Sequence, residues 1–388
     1  MQSPIYLDYN ASTPVDPRVL EAMAPYFSDA FGNPSSIDHQ HGARAAEAVE
    51  NARTVIAETI AVRPEEIIFT SGATESDNLA LIGVMEANED RGDHLITCRT
   101  EHPAVLETAT YLKKRGKQVT LLDVDRTGRV DPEAVQKAIT PKTVLISIMA
   151  ANNEIGTLAP IAEIGRIAHE RGIYFHTDAT QAVGRTEMDA QKLRIDLMSF
   201  SSHKVYGPKG VGALYVRRRQ PFVRLTPLIH GGGHERGLRS GTMNTSGIVG
   251  FGKALQICKQ ERKSEQRRLT QLGNTLVQQL LGKIPGAELN GHPTERLRHC
   301  INLFLPGVEN KALIVALKDK LSFSAGSACA TSKVEPSHVL LSLGYPEERS
   351  YNSIRISIGR FTTEEDVARA SEELVLAVQG LRANFTRA

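Results

Sequence analysis

Six short strand-like runs and a set of longer helical patterns alternate between about residues 15 and 260, and this alternation constrains the fold most. The runs are 67–70, 94–97, 118–122, 144–147, 173–176 and 195–200, with helical spacing at 44–60, 76–88, 102–115 and 161–171. Apolar runs this short, without polar alternation, read as strands buried on both faces of a mainly parallel sheet, with helices as the crossovers. A seventh run, 212–216, follows too soon after Phe200 for a helical crossover. It is expected as one antiparallel strand of the same sheet.

The pattern changes further on. Residues 246–284 are helical, with one apolar stripe of Ile248, Phe251, Leu255 and Cys258 and a charged middle at 259–268 that suits an exposed bridge. Beyond it a smaller α+β pattern comprises a strand at 301–305, a helix at 310–321, a strand at 354–358 and a closing helix from about Thr363. Thr362 and Glu365 have the spacing of a capping box for that last helix. A length of 388 residues suits two domains. We expect a large α/β domain over 15–260, and a smaller domain formed by 1–14 and 261–388 that carries a mobile loop at about 322–335.

Chemistry gathers where the strands end. Asp178 follows the run 173–176, and Ser201-Ser202-His203-Lys204 follows 195–200. An acid at one strand end and a lysine after the next are what a pyridoxal phosphate enzyme needs. The lysine holds the cofactor as a Schiff base, and the carboxylate keeps the pyridine nitrogen protonated so that the ring acts as an electron sink. Ser71-Gly72-Ala73-Thr74 joins a strand to a helix start whose free N–H groups suit a phosphate, with Thr74, Ser201 and His203 as further donors. An ordinary strand-to-helix turn is the rival reading. His102 follows another strand, where its ring would either stack on a planar cofactor or cap a helix. Asn153 follows a fourth strand, as an amide for the cofactor's phenolic oxygen or as part of a simple turn. Ligands of open α/β sheets bind outside the carboxyl ends of the strands, and Thr74, His102, Asn153, Asp178, Gln181 and Lys204 all fall at such ends.

Three other segments stand out. Residues 231–242 form a glycine-rich basic loop, either a plain surface loop or an anion contact reaching across a subunit boundary. Residues 322–332 are small and polar, read as a mobile loop in which Cys329 is accessible and reactive. Arg355 puts a charge inside an apolar strand, to be paired either with a substrate carboxylate or with an internal acid.

Composition excludes several classes. A net charge of +2 is too weak to argue for nucleic acid or an acidic membrane surface, and no apolar run is long enough to span a bilayer. The start has neither the charged nor the apolar region of a signal peptide, so the expected location is the cytoplasm. Four scattered cysteines lack zinc spacing and are expected as free thiols; Cys98, Cys258 and Cys300 sit on strands or a helix and read as structural.

Taken together, the segments YLDYNASTP, SGATESDN, TEH, NNEIG, DATQ, SSHKVYGPKG, RSGT, SAGSAC and RISIGRFT resemble, nearly end to end, the cysteine desulfurases of iron–sulfur-cluster assembly. These are class V aminotransferases of pyridoxal phosphate fold type I. The resemblance implies an aspartate-aminotransferase-like α/β fold and roles for named residues. Lys204 carries the cofactor and moves protons, Asp178 pairs with the pyridine nitrogen, and His102 stacks on the ring. Asn153 and Gln181 contact the phenolic oxygen. Ala73, Thr74, Ser201 and His203 hold the phosphate, joined by Thr242 of a partner subunit. Arg355, with Asn153, grips the substrate, and Cys329 takes the sulfur. The spacing from Cys329 to Glu335-Pro336-Ser337 resembles the subgroup with the longer, mobile cysteine loop. The implied substrate is L-cysteine, with selenocysteine or cystine as alternatives. The implied partners are a second copy of the chain and a sulfur acceptor such as an iron–sulfur scaffold. A β-eliminating lyase, an ordinary aminotransferase and a non-catalytic scaffold remain rivals. The first two give Cys329 no role, and the third would not need Lys204 or Asp178.

Overall fold

The computed structural model describes residues 3–220, 222–326 and 335–385. The chain enters through a short strand, β1 (Ile5–Tyr6), and then builds its large sheet from β2 (Ile67–Thr70), β3 (His94–Cys98), β4 (Gln118–Leu122), β5 (Thr143–Ser147), β6 (Tyr174–Asp178), β7 (Leu197–Ser201) and β8 (Gly212–Val216). Among the described residues these seven strands stand in the order β2-β8-β7-β6-β5-β3-β4. β4, β3, β5, β6 and β7 are mutually parallel, whereas β8 runs antiparallel to both β7 and β2, as the short return after Phe200 requires. β3, β5, β6, β7 and β8 are buried along their whole length, which explains their unbroken apolar character. Helices cover both faces, so every parallel strand delivers its carboxyl end to one edge.

A second layer holds β9 (Glu288–Asn290), β10 (Cys300–Phe304), β11 (Leu321–Ser322) and β12 (Ser353–Ser357). β10 pairs antiparallel with β9 and β12, while β11 pairs parallel with β1. Ile5 and Leu7 are thereby buried with Leu303, Leu313, Ile356 and Leu374 in a core separate from the one beneath the large sheet. The helix Thr245–Lys283 serves both cores. Ile248, Phe251 and Leu255 pack under the large sheet, and Leu272, Leu276 and Leu280 pack in the second layer. At 39 residues it is about 58 Å long, a strut rather than a linker. None of the described helices is long and apolar enough to cross a membrane.

Three local expectations fail. The helix beginning at Asn310 stops at Leu317, and Leu321–Ser322 is a strand. Pairing Leu321 with Ile5 buries both and outweighs continuation of the helix. The cap of the last helix is shifted by one residue. Thr363 Oγ1 accepts from Asp366 N–H and Asp366 Oδ2 accepts from Thr363 N–H, while Thr362 Oγ1 accepts from Gly359 N–H. The segment from Ser322 is not wholly without a core residue. Phe323 is buried in the second core, and Ser324 makes a two-way backbone bridge with Arg355.

The glycine-rich basic loop is tied down as well. Glu235 is buried and takes two guanidinium hydrogen bonds from Arg53, at 2.7 and 2.8 Å, and one from the N–H of Phe69 on edge strand β2. Removing one member of such a pair leaves a buried charge without compensation. Glu235→Ala should therefore lower unfolding stability by about 3–5 kcal/mol, read as a shift in the urea midpoint.

Candidate active site

One cavity of about 470 Å³ opens at the carboxyl edge of the large sheet. Ala73, Thr74, His102, Asn153, Asp178, Gln181, Ser201, His203, Lys204 and Arg355 all line it. The structure thus brings ten of the twelve expected site residues together. Thr242 is exposed and does not line the cavity of its own chain. Cys329 lies outside the described residues.

Each wall follows from local chain chemistry. The 15-residue helix Ala73–Ala87 starts at the cavity, and the N–H groups of Ala73 and Thr74 have no acceptor among the described residues. β8 passes close behind them. A Cβ on Gly212 would lie 2.6 Å from Gly72 Cα, so only glycine lets these backbones approach. Ser201 ends β7 and faces the same corner. His203 stands beside it with Nδ1 3.3 Å from Ser12 Oγ, and burial, reinforced by the charge of Lys204, pushes its pKa down to about 4. This corner offers backbone N–H groups, hydroxyls and a neutral imidazole, a donor set suited to a phosphate.

Lys204 directs Nζ to the carbonyls of Asn10, at 2.7 Å, and Ala11, at 2.8 Å. Asp178 closes β6, and its Oδ1 accepts from Thr180 N–H. For His102 the capping reading holds. It lines the cavity and also caps the helix Pro103–Lys114, its Nδ1 accepting from Ala104 N–H at 3.1 Å. Burial lowers its pKa, and the cap leaves the proton of the neutral ring on Nε2. Gln181 is partly committed within the protein, donating to Asn10 O and accepting from Arg185.

For Arg355 the internal-acid reading holds. It is almost wholly buried, donates to Asp8 Oδ1 at 2.8 Å and to Asn153 O at 3.1 Å, and keeps a buried Nε without a partner. The internal ion pair exists, and the side chain also lines the cavity. Sequence reasoning missed Asp8 as the partner, although an acid beside the tyrosine of YLDY, on a strand end, was a usable signal. It also missed a layer of buried acids behind the cavity. Asp77 and Glu101 lie close enough to Asp178 to feel its charge. Burial holds Asp77 well above the usual carboxylate range and pushes Glu101 up to about 8, with Asp178 adding to both. Glu101 Oε1 accepts from Met149 N–H at 2.7 Å. Cys98, Cys258 and Cys300 are buried free thiols, in keeping with a structural role.

A cavity at the strand ends holding a lysine, an acid, a capped histidine and a phosphate-shaped corner defines a class of protein, and comparison with known proteins gives the family. The class-V aminotransferase model matches residues 5–370. The chain belongs to the class-V aminotransferase family. Among its relatives, the cysteine desulfurase IscS of Pseudomonas entomophila is 50% identical over 384 residues, covering 98% of this chain and 94% of that protein. The human cysteine desulfurase is 48% identical over 379 residues, covering 98% and 82%. A solved NifS-like protein superposes with a TM-score of 0.91 at 37% identity, covering 97% of this chain and 100% of its own. A structure of SspA in complex with cysteine superposes with a TM-score of 0.82 at 38% identity, covering 92% and 99%.

The raised pKa of Glu101 has a definite sign. The folded state keeps a proton that the unfolded state releases, so this contribution is complete below the ordinary glutamate value of 4.5 and is lost progressively up to about pH 8. Glu101→Gln should flatten that loss. Urea midpoints at pH 5 and pH 8 should differ less in the variant than in the parent, and an unchanged difference would place the titration elsewhere.

Proposed function

We propose that this chain is a cysteine desulfurase that uses pyridoxal 5′-phosphate to remove sulfur from L-cysteine, giving L-alanine and a persulfide on Cys329. The observation that carries the reading is the convergence of Lys204, Asp178, His102 and Arg355 on one cavity beside the donor-lined corner at Thr74. These residues fit the cofactor. Ala73, Thr74, Ser201 and His203 would hold its phosphate, Lys204 would anchor it, Asp178 would face its ring nitrogen, and His102, Asn153 and Gln181 would surround the ring. When bound, it supplies a sink for the electron pair left on the substrate's α-carbon.

The remaining work belongs to the side chains. Arg355 binds the substrate carboxylate with the N–H groups not used by Asp8 and Asn153. Lys204 is the base that takes the α-proton, on a neutral Nζ lone pair, and returns a proton to carbon. The neutral His102 ring, with its proton on Nε2, is placed to pass a proton across the cavity. Cys329, as thiolate, attacks the substrate sulfur. An S–S bond forms, the C–S bond breaks with its electron pair going to carbon, and protonation of that carbon yields alanine.

We further read the chain as two domains, 15–260 and 1–14 with 261–388, and as a cytoplasmic homodimer in which Thr242 reaches the partner's phosphate corner. The persulfide then passes to an acceptor such as an iron–sulfur scaffold. Selenocysteine and cystine are the competing substrates to assay beside cysteine.

Purified protein incubated with L-cysteine should release alanine in step with transferable sulfur. Cys329→Ala should retain the bound cofactor's visible absorption and lose both products. Pyruvate and ammonia, unchanged by that substitution, would mean a lyase and overturn the reading. Arg355→Lys, which keeps the charge but not the fork, should raise KM for cysteine by roughly 10–100-fold with a smaller effect on kcat.

A further inference from the structure

A second cavity, of about 90 Å³, lies between the two cores, where the middle of the helix Thr245–Lys283 passes the segment leading into β10. Four guanidinium-bearing residues line it: Arg185, Arg262, Arg296 and Arg298. None of them is in an ion pair with any described carboxylate. Their recorded partners are neutral: Arg296 donates to the carbonyls of Asn290 and Cys300, Arg262 to that of Thr186, and Arg298 to that of Pro293. Arg185 donates to Gln181 Oε1, Asn10 Oδ1 and Lys204 O. Glu265 is the one acid on the wall, and it is held by Arg360 at 2.9 Å.

Buried cations without a counter-charge are costly, and carbonyl partners offset only part of that cost. Arg296 is only 6% exposed, and burial pulls its pKa and that of Arg185 down. His299, also 6% exposed, lines the same cavity, and its Nε2 has no hydrogen-bond partner. An orphaned ring nitrogen beside four unpaired guanidiniums is the environment of an absent acceptor with negative charge. From this cluster we infer that the cavity is a binding site for a small tetrahedral oxyanion, inorganic phosphate or sulfate. The anion neutralises Arg185 and Arg296, accepts from His299 Nε2–H, and binds the strut helix, through Arg262, to the segment 296–299. Because Arg185 also holds the carbonyl of Lys204 and the amide of Gln181, the site is one residue removed from the catalytic cavity.

The test uses protein saturated with pyridoxal phosphate, so that the phosphate corner of the active site is already filled. Its thermal midpoint is followed against phosphate and, separately, sulfate, each matched in ionic strength with chloride. The expected result is a saturable rise of roughly 2 °C at tenfold excess over the dissociation constant, absent with chloride. The double variant Arg262→Gln/Arg298→Gln, outside the catalytic cavity, should lose the rise. No saturable rise in the parent protein, or an equal rise in the variant, overturns the assignment. Should the variant not fold, crystals of the parent holoenzyme grown with selenate decide. An anomalous peak enclosed by Arg296 and His299 supports the site, and its absence there sinks it. Response to one oxyanion and not the other would identify which of the two occupies the site.

Discussion

The stretch from Asp8 to Thr13 is the constraint on which the rest of the structure turns. It belongs to neither sheet, yet it joins them and forms a wall of the catalytic cavity. Asp8 pairs with Arg355 in the second layer, and Asn10 N–H donates to Ser357 Oγ in the same strand. Two residues on, the carbonyls of Asn10 and Ala11 take Lys204 Nζ, and Thr13 exchanges hydrogen bonds with the segment after β7 through His203 O and Tyr206 N–H. Because one short segment, turned at Tyr9–Ala11, satisfies polar groups of both layers, the distance between the lysine and the arginine is fixed by the main chain. The proposed reaction, with the substrate's carboxylate at Arg355 and its α-carbon at Lys204, needs that separation held.

Electrostatics behind the cavity follow from burial. Asp77, Glu101 and Asp178 lie near one another beneath the strand ends, and three adjacent negative charges there would repel strongly. Burial resolves this by keeping protons on Asp77 and Glu101. His176, whose ring lies between Ser147 Oγ at 2.8 Å and Ser199 Oγ at 2.9 Å, is pushed down to about 3 by its burial and is neutral. The layer supporting Asp178 is therefore polar but largely uncharged. Asp178 alone of the three acids reaches the cavity, where a cationic ring nitrogen would meet it.

Much of this was legible in the sequence because parallel strands buried on both faces write themselves as apolar runs, and whatever follows each run must lie at one edge. That rule alone placed Thr74, His102, Asn153, Asp178, Gln181 and Lys204 together, and the brevity of the 200–212 connection predicted the antiparallel β8. What stayed hidden depends on contacts between residues far apart in the chain. Nothing local marks Leu321 as a strand residue; its partner Ile5 lies more than three hundred positions away. The loop 231–242 reads as flexible from its glycines, but Glu235, an ordinary acid in sequence, meets Arg53 and the edge of β2. Arg355 was recognised as costly to bury, yet only the fold could show that Asp8 is its internal partner.

The described residues on either side of positions 327–334 come close to the same buried acid, Glu154. On one side, Ser324 exchanges backbone hydrogen bonds with Arg355 at 2.7 and 3.1 Å, so the chain runs beside the strand that carries Arg355. Gly326 stands at φ +118, and a Cβ there would come within 3.0 Å of Glu154 Oε2. On the other side, Ser337 Oγ donates to that same Glu154 oxygen at 2.6 Å, and its N–H donates to Ser350 Oγ. Glu154 is buried, and its neighbour Asn153 supplies both an edge of the cavity and the carbonyl that Arg355 holds. Gly326 and Ser337 thus both lie beside the buried Glu154, next to Asn153 and the arginine that holds its carbonyl.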